Sequence, residues 1–80
     1  MQTPDGIRAN LTEFIEKQTK KTVSADLDLF GSGMVSSLFA LQLVVHVESA
    51  FGVTVAGPDL RIDNFRTVDA ITELVVRLRG

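Results

Sequence analysis

Apolar residues recur with helical spacing in three separate stretches of the chain. In the first, from about Pro4 to Gln18, the apolar positions fall at i, i+4, i+7 and i+8 and therefore share one helix face: Ile7, Leu11, Phe14 and Ile15. Thr3 is a suitable N-cap for this helix, and Pro4 suits its first position. The pattern predicts a helix that buries this face.

The second stretch, Ser37 to Phe51, is apolar around almost its whole circumference and is followed by Gly52, a residue typical of helix C-termini. We assign four positions to a face that enters the core: Leu41, Val44, Val47 or its neighbour, and Phe51. Five others are assigned to a different, outward face: Leu38, Phe39, Gln42, Val45 and Ser49. Exposed apolar faces usually mark interaction sites. Burial against other helices is the alternative for Leu38, Phe39 and Val45.

The third stretch runs from Val68 to Arg77 or slightly beyond, with Thr67 as a plausible N-cap. Its apolar positions again share one face: Val68, Ile71, Leu74, Val75 and Leu78. Before it, the sequence predicts a turn and one short helical turn near Asp59 to Asn64. The only strand candidate, residues 53–55, is too short to build a sheet.

Together these patterns predict an all-α fold, a four-helix bundle with three long helices and one short one. The connection from Thr19 to Ser36 is long for a compact domain, and such connections are often functional. Its apolar residues suggest that it is pinned to the core: Val23, Leu27, Leu29 and Phe30. A chain of 80 residues is predicted to form one domain, spanning residues 1–80.

Composition excludes several classes of function. The chain has no Cys and one His, so disulfides, thiolate metal sites and multi-His metal sites are excluded. The net charge of −2 and the lack of a basic stripe argue against nucleic-acid binding. No apolar run is long enough to span a membrane, and the first residues lack the pattern of a signal peptide. We therefore expect a cytoplasmic monomer that binds no metal, nucleic acid or membrane.

The junction between the long connection and the second helix carries the candidate chemistry. Ser36 can act as the N-cap, which puts Ser37 in the first turn, where backbone N–H groups are unpaired and the helix dipole is positive. A phosphate ester on the Ser37 hydroxyl would meet a suitable anion site there. On position alone, an ordinary helix-start serine remains the alternative. A lone His46 more often has a structural role than a catalytic one.

Four segments resemble the acyl and peptidyl carrier protein family. They occur in the family's order and cover nearly the whole chain: Asp26–Phe30, Gly33–Leu38, Glu48–Val53 and Asp63–Val68. The resemblance implies a bundle of the carrier-protein type and a 4'-phosphopantetheine arm, transferred from coenzyme A to Ser37. It also implies a protein that catalyses nothing itself and holds an acyl or aminoacyl group as a thioester. Ser36, the N-cap of the second helix, then lies beside the attachment point of the arm.

Two departures from the family pattern change this picture. Ser36 stands where the family usually has an Asp that helps the transferase to hold Mg²⁺, and Glu48 is the only acid in a helix that is usually acidic. The chain is also similar to stand-alone carriers for unusual malonyl-type extender units of polyketide pathways, which implies a role in antibiotic biosynthesis.

The resemblance further implies three kinds of partner: a phosphopantetheinyl transferase, an acyl-loading enzyme, and an acyltransferase or ketosynthase. We expect these partners to contact the second helix at Leu38, Phe39, Gln42, Val45 and Glu48. The alternative is an unmodified helical module that binds partners through the same apolar face. A third reading is a small hydrolase built on Ser37.

Overall fold

The computed structural model describes residues 3–79. Over this range the chain forms four α-helices and one 3₁₀ turn: α1 (Pro4–Thr19), α2 (Ser37–Phe51), the 3₁₀ turn Gly57–Asp59, α3 (Ile62–Phe65) and α4 (Val68–Arg79). No strand occurs within it. These elements confirm the predicted all-α bundle of three long helices and one short one. Residues 1, 2 and 80 of the predicted domain lie outside the described residues.

Hydroxyl side chains cap the start of each long helix, as the sequence predicts. The Oγ atoms of Thr3, Ser36 and Thr67 each accept a hydrogen bond from the backbone N–H three residues later. Such a bond satisfies one of the N–H groups that a helix leaves unpaired at its beginning. The predicted starts are therefore confirmed. Helix α1 ends one residue later than predicted, at Thr19, while α2 ends at Phe51 and α4 at Arg79, as predicted.

A glutamate anchors the chain where it leaves α1 and again where it leaves α2. The Glu16 carboxylate accepts the backbone N–H of Val23 at 2.8 Å, and the Glu48 carboxylate accepts that of Val55 at 2.8 Å. Both valines are buried. Each glutamate therefore supplies an acceptor for an N–H group that burial would otherwise leave unsatisfied. The same type of hydrogen bond therefore fixes the chain after α1 and after α2.

The core is one cluster that collects side chains from all four helices and from the connections between them. Its largest fully buried residues come mainly from α1, α2 and α4: Ile7, Leu11, Ile15, Leu43, Ile71 and Leu74. The predicted apolar faces of α1 and α4 are buried, with Phe14 and Leu78 at the margin of the core. Helix α4 packs against both α1 and α3.

The prediction of which face of α2 is turned inward is partly wrong. Val47 is buried, but Leu41 is 65% exposed and Leu43 takes the core position with no exposed surface. Val44 and Phe51 lie at the edge of the core. Leu43 and Val47 are four residues apart and so lie above one another on one face of the helix. Because α2 is apolar on nearly every side, its sequence alone does not indicate which face is turned inward.

The long connection between α1 and α2 is pinned to the core, as predicted. Val23, Leu29 and Val35 are buried, while Leu27 and Phe30 are half-buried. The Leu29 N–H donates to the Arg66 carbonyl at 2.7 Å, and the Val35 N–H donates to the Leu29 carbonyl at 2.9 Å. These contacts fix the residues immediately before α2, and with them the direction in which its first turn points.

Candidate functional site

Ser37 is the first residue of α2, and its side chain is exposed. Ser36, in an extended conformation, accepts the Phe39 N–H at 3.2 Å through its Oγ. The Ser37 hydroxyl forms no hydrogen bond with any residue from 3 to 79. The N–H groups of Ser37 and Leu38 have no acceptor within the helix and carry the positive end of its dipole. A phosphate ester fits this position, because the oxygen is accessible and the adjacent backbone favours an anion.

The turn before α2 is organised by the carboxylate of Asp28. Its Oδ1 accepts the Gly31 N–H at 2.8 Å, and its Oδ2 accepts from Arg66 at 3.3 Å. A Cβ at position 31 would displace this carboxylate, so glycine preserves the geometry of the turn. Gly33 has a φ of +77°, a value that favours glycine. Residues 28–33 therefore form a hydrogen-bonded turn that leads into α2.

The pKa of Asp28 lies below its ordinary value, because its carboxylate accepts the Gly31 N–H and is paired with Arg66. Ionised Asp28 therefore stabilises the fold above the unfolded pKa of about 3.9, and this contribution is lost as the pH falls through the lower folded pKa. We expect Asp28→Asn to lower the melting temperature near neutral pH, with a difference that narrows in acid. Thermal unfolding from about pH 7 to about pH 2 measures this.

Asp26→Asn is the matched control for this pH dependence. Asp26 is an exposed acid of the same connection, and the side-chain hydrogen bond it accepts comes from Ser24. The melting temperature of Asp26→Asn should differ from that of the wild type by the same amount at every pH. If the Asp28→Asn variant differed from the wild type by the same amount at every pH, the charge of Asp28 would not be the stabilising feature.

The outward face of α2 is largely exposed, as predicted. Leu38 is 71% exposed and Val45 is 64% exposed, and Gln42 and Ser49 are also at the surface. The alternative that Leu38 and Val45 are buried against other helices is therefore wrong. Leu41 joins this face. We call the exposed set Leu38, Leu41, Gln42 and Val45 the α2 surface.

Phe39 and Glu48 differ from the other residues predicted to contact partners. Phe39 is half-buried and stacks on Phe14 of α1, with ring centroids 5.8 Å apart. Glu48 is half-buried, and its carboxylate holds the Val55 N–H. Both side chains therefore have structural contacts already. The α2 surface itself carries no formal charge.

An apolar groove of about 190 Å³ separates α2 from α3 and the residues before it. Its walls include Ala40, Leu41 and Val44 on one side and Leu60, Ile62 and Phe65 on the other. Leu60 and Ile62 are both more than half exposed. The α2 surface therefore continues across this groove.

His46 has a packing role between α1 and α2. Its ring stacks on Phe14 with centroids 4.0 Å apart, and Nε2 lies 2.7 Å from Oδ1 of Asn10. Burial lowers the pKa of His46 below its ordinary value. His46 follows Ser37 by nine residues on the same helix, which separates them by about 14 Å along the axis. His46 therefore cannot serve Ser37 as a general base, and the hydrolase reading loses its only histidine.

Sequence reasoning missed the roles of Glu16, Glu48 and Arg66. Asp28 three residues before Gly31 is a recognisable turn pattern, because Asp side chains accept hydrogen bonds from nearby backbone N–H groups. Its pairing with Arg66 had no such signal, because 38 residues separate the two side chains. The glutamate anchors likewise depend on where the chain turns after each helix.

Comparison with known proteins assigns the class of this chain. Residues 6–75 match the family model described as a phosphopantetheine attachment site. The chain therefore belongs to the phosphopantetheine-binding carrier protein family, whose prosthetic group is 4'-phosphopantetheine. The helical bundle is accordingly of the carrier-protein type. The exposed hydroxyl of Ser37, which makes no hydrogen bond within residues 3–79, fits attachment of such a group.

Among its relatives are proteins named D-alanyl carrier protein. That of Streptococcus sanguinis (strain SK36) is 33% identical over 76 residues, which cover 92% of this chain and 96% of the relative. That of Streptococcus thermophilus (strain CNRZ 1066) is 32% identical with the same coverage. That of Streptococcus mutans serotype c is 29% identical over 76 residues, again with the same coverage. None of the helices within residues 3–79 is both long enough and apolar enough to cross a membrane.

Proposed function

We propose that this chain carries a small acyl or aminoacyl group as a thioester on a 4'-phosphopantetheine arm joined to the Oγ atom of Ser37. The supporting observation is the exposed Ser37 hydroxyl, which has no partner within the described residues and lies in the first turn of α2. In the attachment step this oxygen attacks a phosphorus atom of coenzyme A. A phosphodiester forms, the serine proton is released, and adenosine 3',5'-bisphosphate departs with the electrons of the broken P–O bond.

The chain contributes binding and orientation rather than catalysis in this proposal. The cap at Ser36 and the turn at Asp28 hold the first turn of α2 in place, so the arm leaves the protein at a fixed point. The nearest candidate base on the helix, His46, packs against α1 instead. A thioester on this chain would therefore remain unreacted until a partner enzyme binds.

The cargo of the proposed carrier is most simply an aminoacyl group, because the relatives described above are named D-alanyl carrier proteins. A malonyl-type group for a polyketide pathway is the second candidate. It rests on Ser36 in place of the family's usual Asp and on the sequence Ser37-Leu38-Phe39-Ala40. The loading enzyme would differ accordingly, forming an aminoacyl thioester in the first case and an acyl thioester in the second.

We expect the partner enzymes to dock on the α2 surface through apolar contact. Its lack of charge means that steering by salt-sensitive attraction is weak. The KM of the transferase should therefore change by less than about threefold between low and physiological ionic strength. Val45→Ala should raise this KM, while Val76→Ala, which truncates an exposed valine on α4, should not. A steep loss of binding with salt would contradict apolar docking.

Intact-mass spectrometry tests the proposed function directly. After incubation with coenzyme A and a broad-specificity phosphopantetheinyl transferase, the chain should gain the mass of one arm, on the peptide that contains Ser37. Protein purified from its native host should carry the arm as well, and any remaining mass identifies the cargo. If transferases from several pathways add nothing, the unmodified interaction module becomes the better explanation.

A further inference from the structure

A polar cleft of about 330 Å³ lies beside the first turn of α2, on the side that faces α1. Its lining comes from the end of α1 and from the residues that lead into α2, and includes Gln18, Lys21, Gly33, Met34, Ser36 and Phe39. The cleft reaches Ser36, the residue next to the proposed attachment point. The groove between α2 and α3 reaches α2 only at Ala40 and beyond.

The polar groups of this cleft are available to a ligand. Neither the Gln18 amide nor the Lys21 ammonium forms a hydrogen bond or ion pair with any residue from 3 to 79. Among the described residues no Asp or Glu lines the cleft, so Lys21 gives it a net positive character. Met34 and the half-buried ring of Phe39 add apolar surface between these polar groups.

A phosphopantetheine arm has a chemistry that matches this lining. It begins with an anionic phosphodiester, continues through a hydroxyl and two methyl groups on one carbon, and then carries two amides. In the groove beside α3, Arg61 is the only polar side chain among the described lining residues, so the hydroxyl and the amides of the arm would lie against mainly apolar walls with few hydrogen-bond partners, which is costly. In the cleft, an ammonium can face the phosphodiester, a side-chain amide can pair with an arm amide, and the methyl groups can contact an aromatic ring.

We infer that this cleft is the resting site of the arm's phosphodiester end when no partner enzyme is bound. Lys21 contacts the phosphodiester, Gln18 pairs with the amide nearest the protein, and Phe39 packs against the two methyl groups. The α2–α3 groove then stays open for partners, because the arm is held on the other side of α2, next to α1. This inference rests on the proposed attachment at Ser37.

The test compares the amide NMR spectra of the unmodified and the arm-bearing protein, after intact mass has verified the arm. Attachment itself perturbs residues 36–38, so the informative signals lie elsewhere. We expect clear shift changes at Gln18, Lys21 and Met34, and nuclear Overhauser contacts between the arm's methyl groups and the Phe39 ring. Leu60 and Ile62 should stay unchanged. Changes concentrated at these two residues, or no changes beyond residues 36–38, would overturn the inference.

Lys21→Gln and its matched control Lys20→Gln isolate the contribution of charge. Both variants remove one exposed positive charge, but only Lys21 lines the cleft. In Lys21→Gln the shift change at Gln18 should fall by roughly half, as expected for loss of an exposed charge pair, while in Lys20→Gln it should persist. Equal behaviour of the two variants would refute a role for Lys21. A chain that takes up no arm would overturn the proposed function as well, and the mass spectrum separates that case from an arm that binds elsewhere.

Discussion

Replacing Ser37 with alanine is expected to abolish attachment of the arm completely and to leave the fold intact. The hydroxyl is the only atom that the substitution removes, and it makes no hydrogen bond within the described residues. Alanine is a strong helix former, so the free energy of unfolding should change by less than about 0.5 kcal/mol. Intact mass after incubation with coenzyme A and transferase, together with far-ultraviolet circular dichroism, measures both expectations.

Ser36→Asp provides the matched control for this experiment, because it alters the neighbouring serine and keeps the Ser37 oxygen. Aspartate can cap the helix as serine does, and it adds a negative charge near the positive end of the dipole. We expect this variant to fold normally and to be modified at least as fast as the wild type by a generic transferase. An arm on Ser37→Ala would show that another residue is the attachment point. Slower modification of Ser36→Asp would show that the transferase recognises the serine side chain at position 36.

Much of the fold was predictable because the determining signals are local. Thr3, Ser36 and Thr67 each precede an apolar periodic stretch, and a short hydroxyl side chain there satisfies N–H groups only a few residues away. Gly52 ends α2 with a φ of +65°, as its position suggests.

The features that the sequence did not reveal depend on contacts between distant segments. Asp28 meets Arg66 only because the long connection crosses the start of α4, and His46 meets Asn10 only because α1 and α2 lie side by side. The rotation of α2 about its own axis is set in the same way. With apolar residues on nearly every side, α2 could bury several alternative stripes, and the shape left by its neighbours selects Leu43 rather than Leu41.

That selection has a large expected effect on stability. Leu43 has no exposed surface, so Leu43→Ala should leave a cavity and lower the free energy of unfolding by about 2–5 kcal/mol. Leu41, two residues away on the same helix, is 65% exposed, and Leu41→Ala should cost less than about 0.5 kcal/mol. A domain of 80 residues has a total stability of about 4–12 kcal/mol, so the first variant should lose a large fraction of it.

Equilibrium unfolding in urea distinguishes these two leucines. The chain has no Trp and no Tyr, so far-ultraviolet circular dichroism of the helices is the suitable signal. The midpoint should fall steeply for Leu43→Ala and hardly move for Leu41→Ala, with the same denaturant dependence in both, since that slope reports the surface exposed on unfolding. Equal losses for the two variants would mean that α2 is rotated from the orientation described above. Leu41 would then be a core residue, and the uncharged surface proposed for partner docking would lose its central side chain.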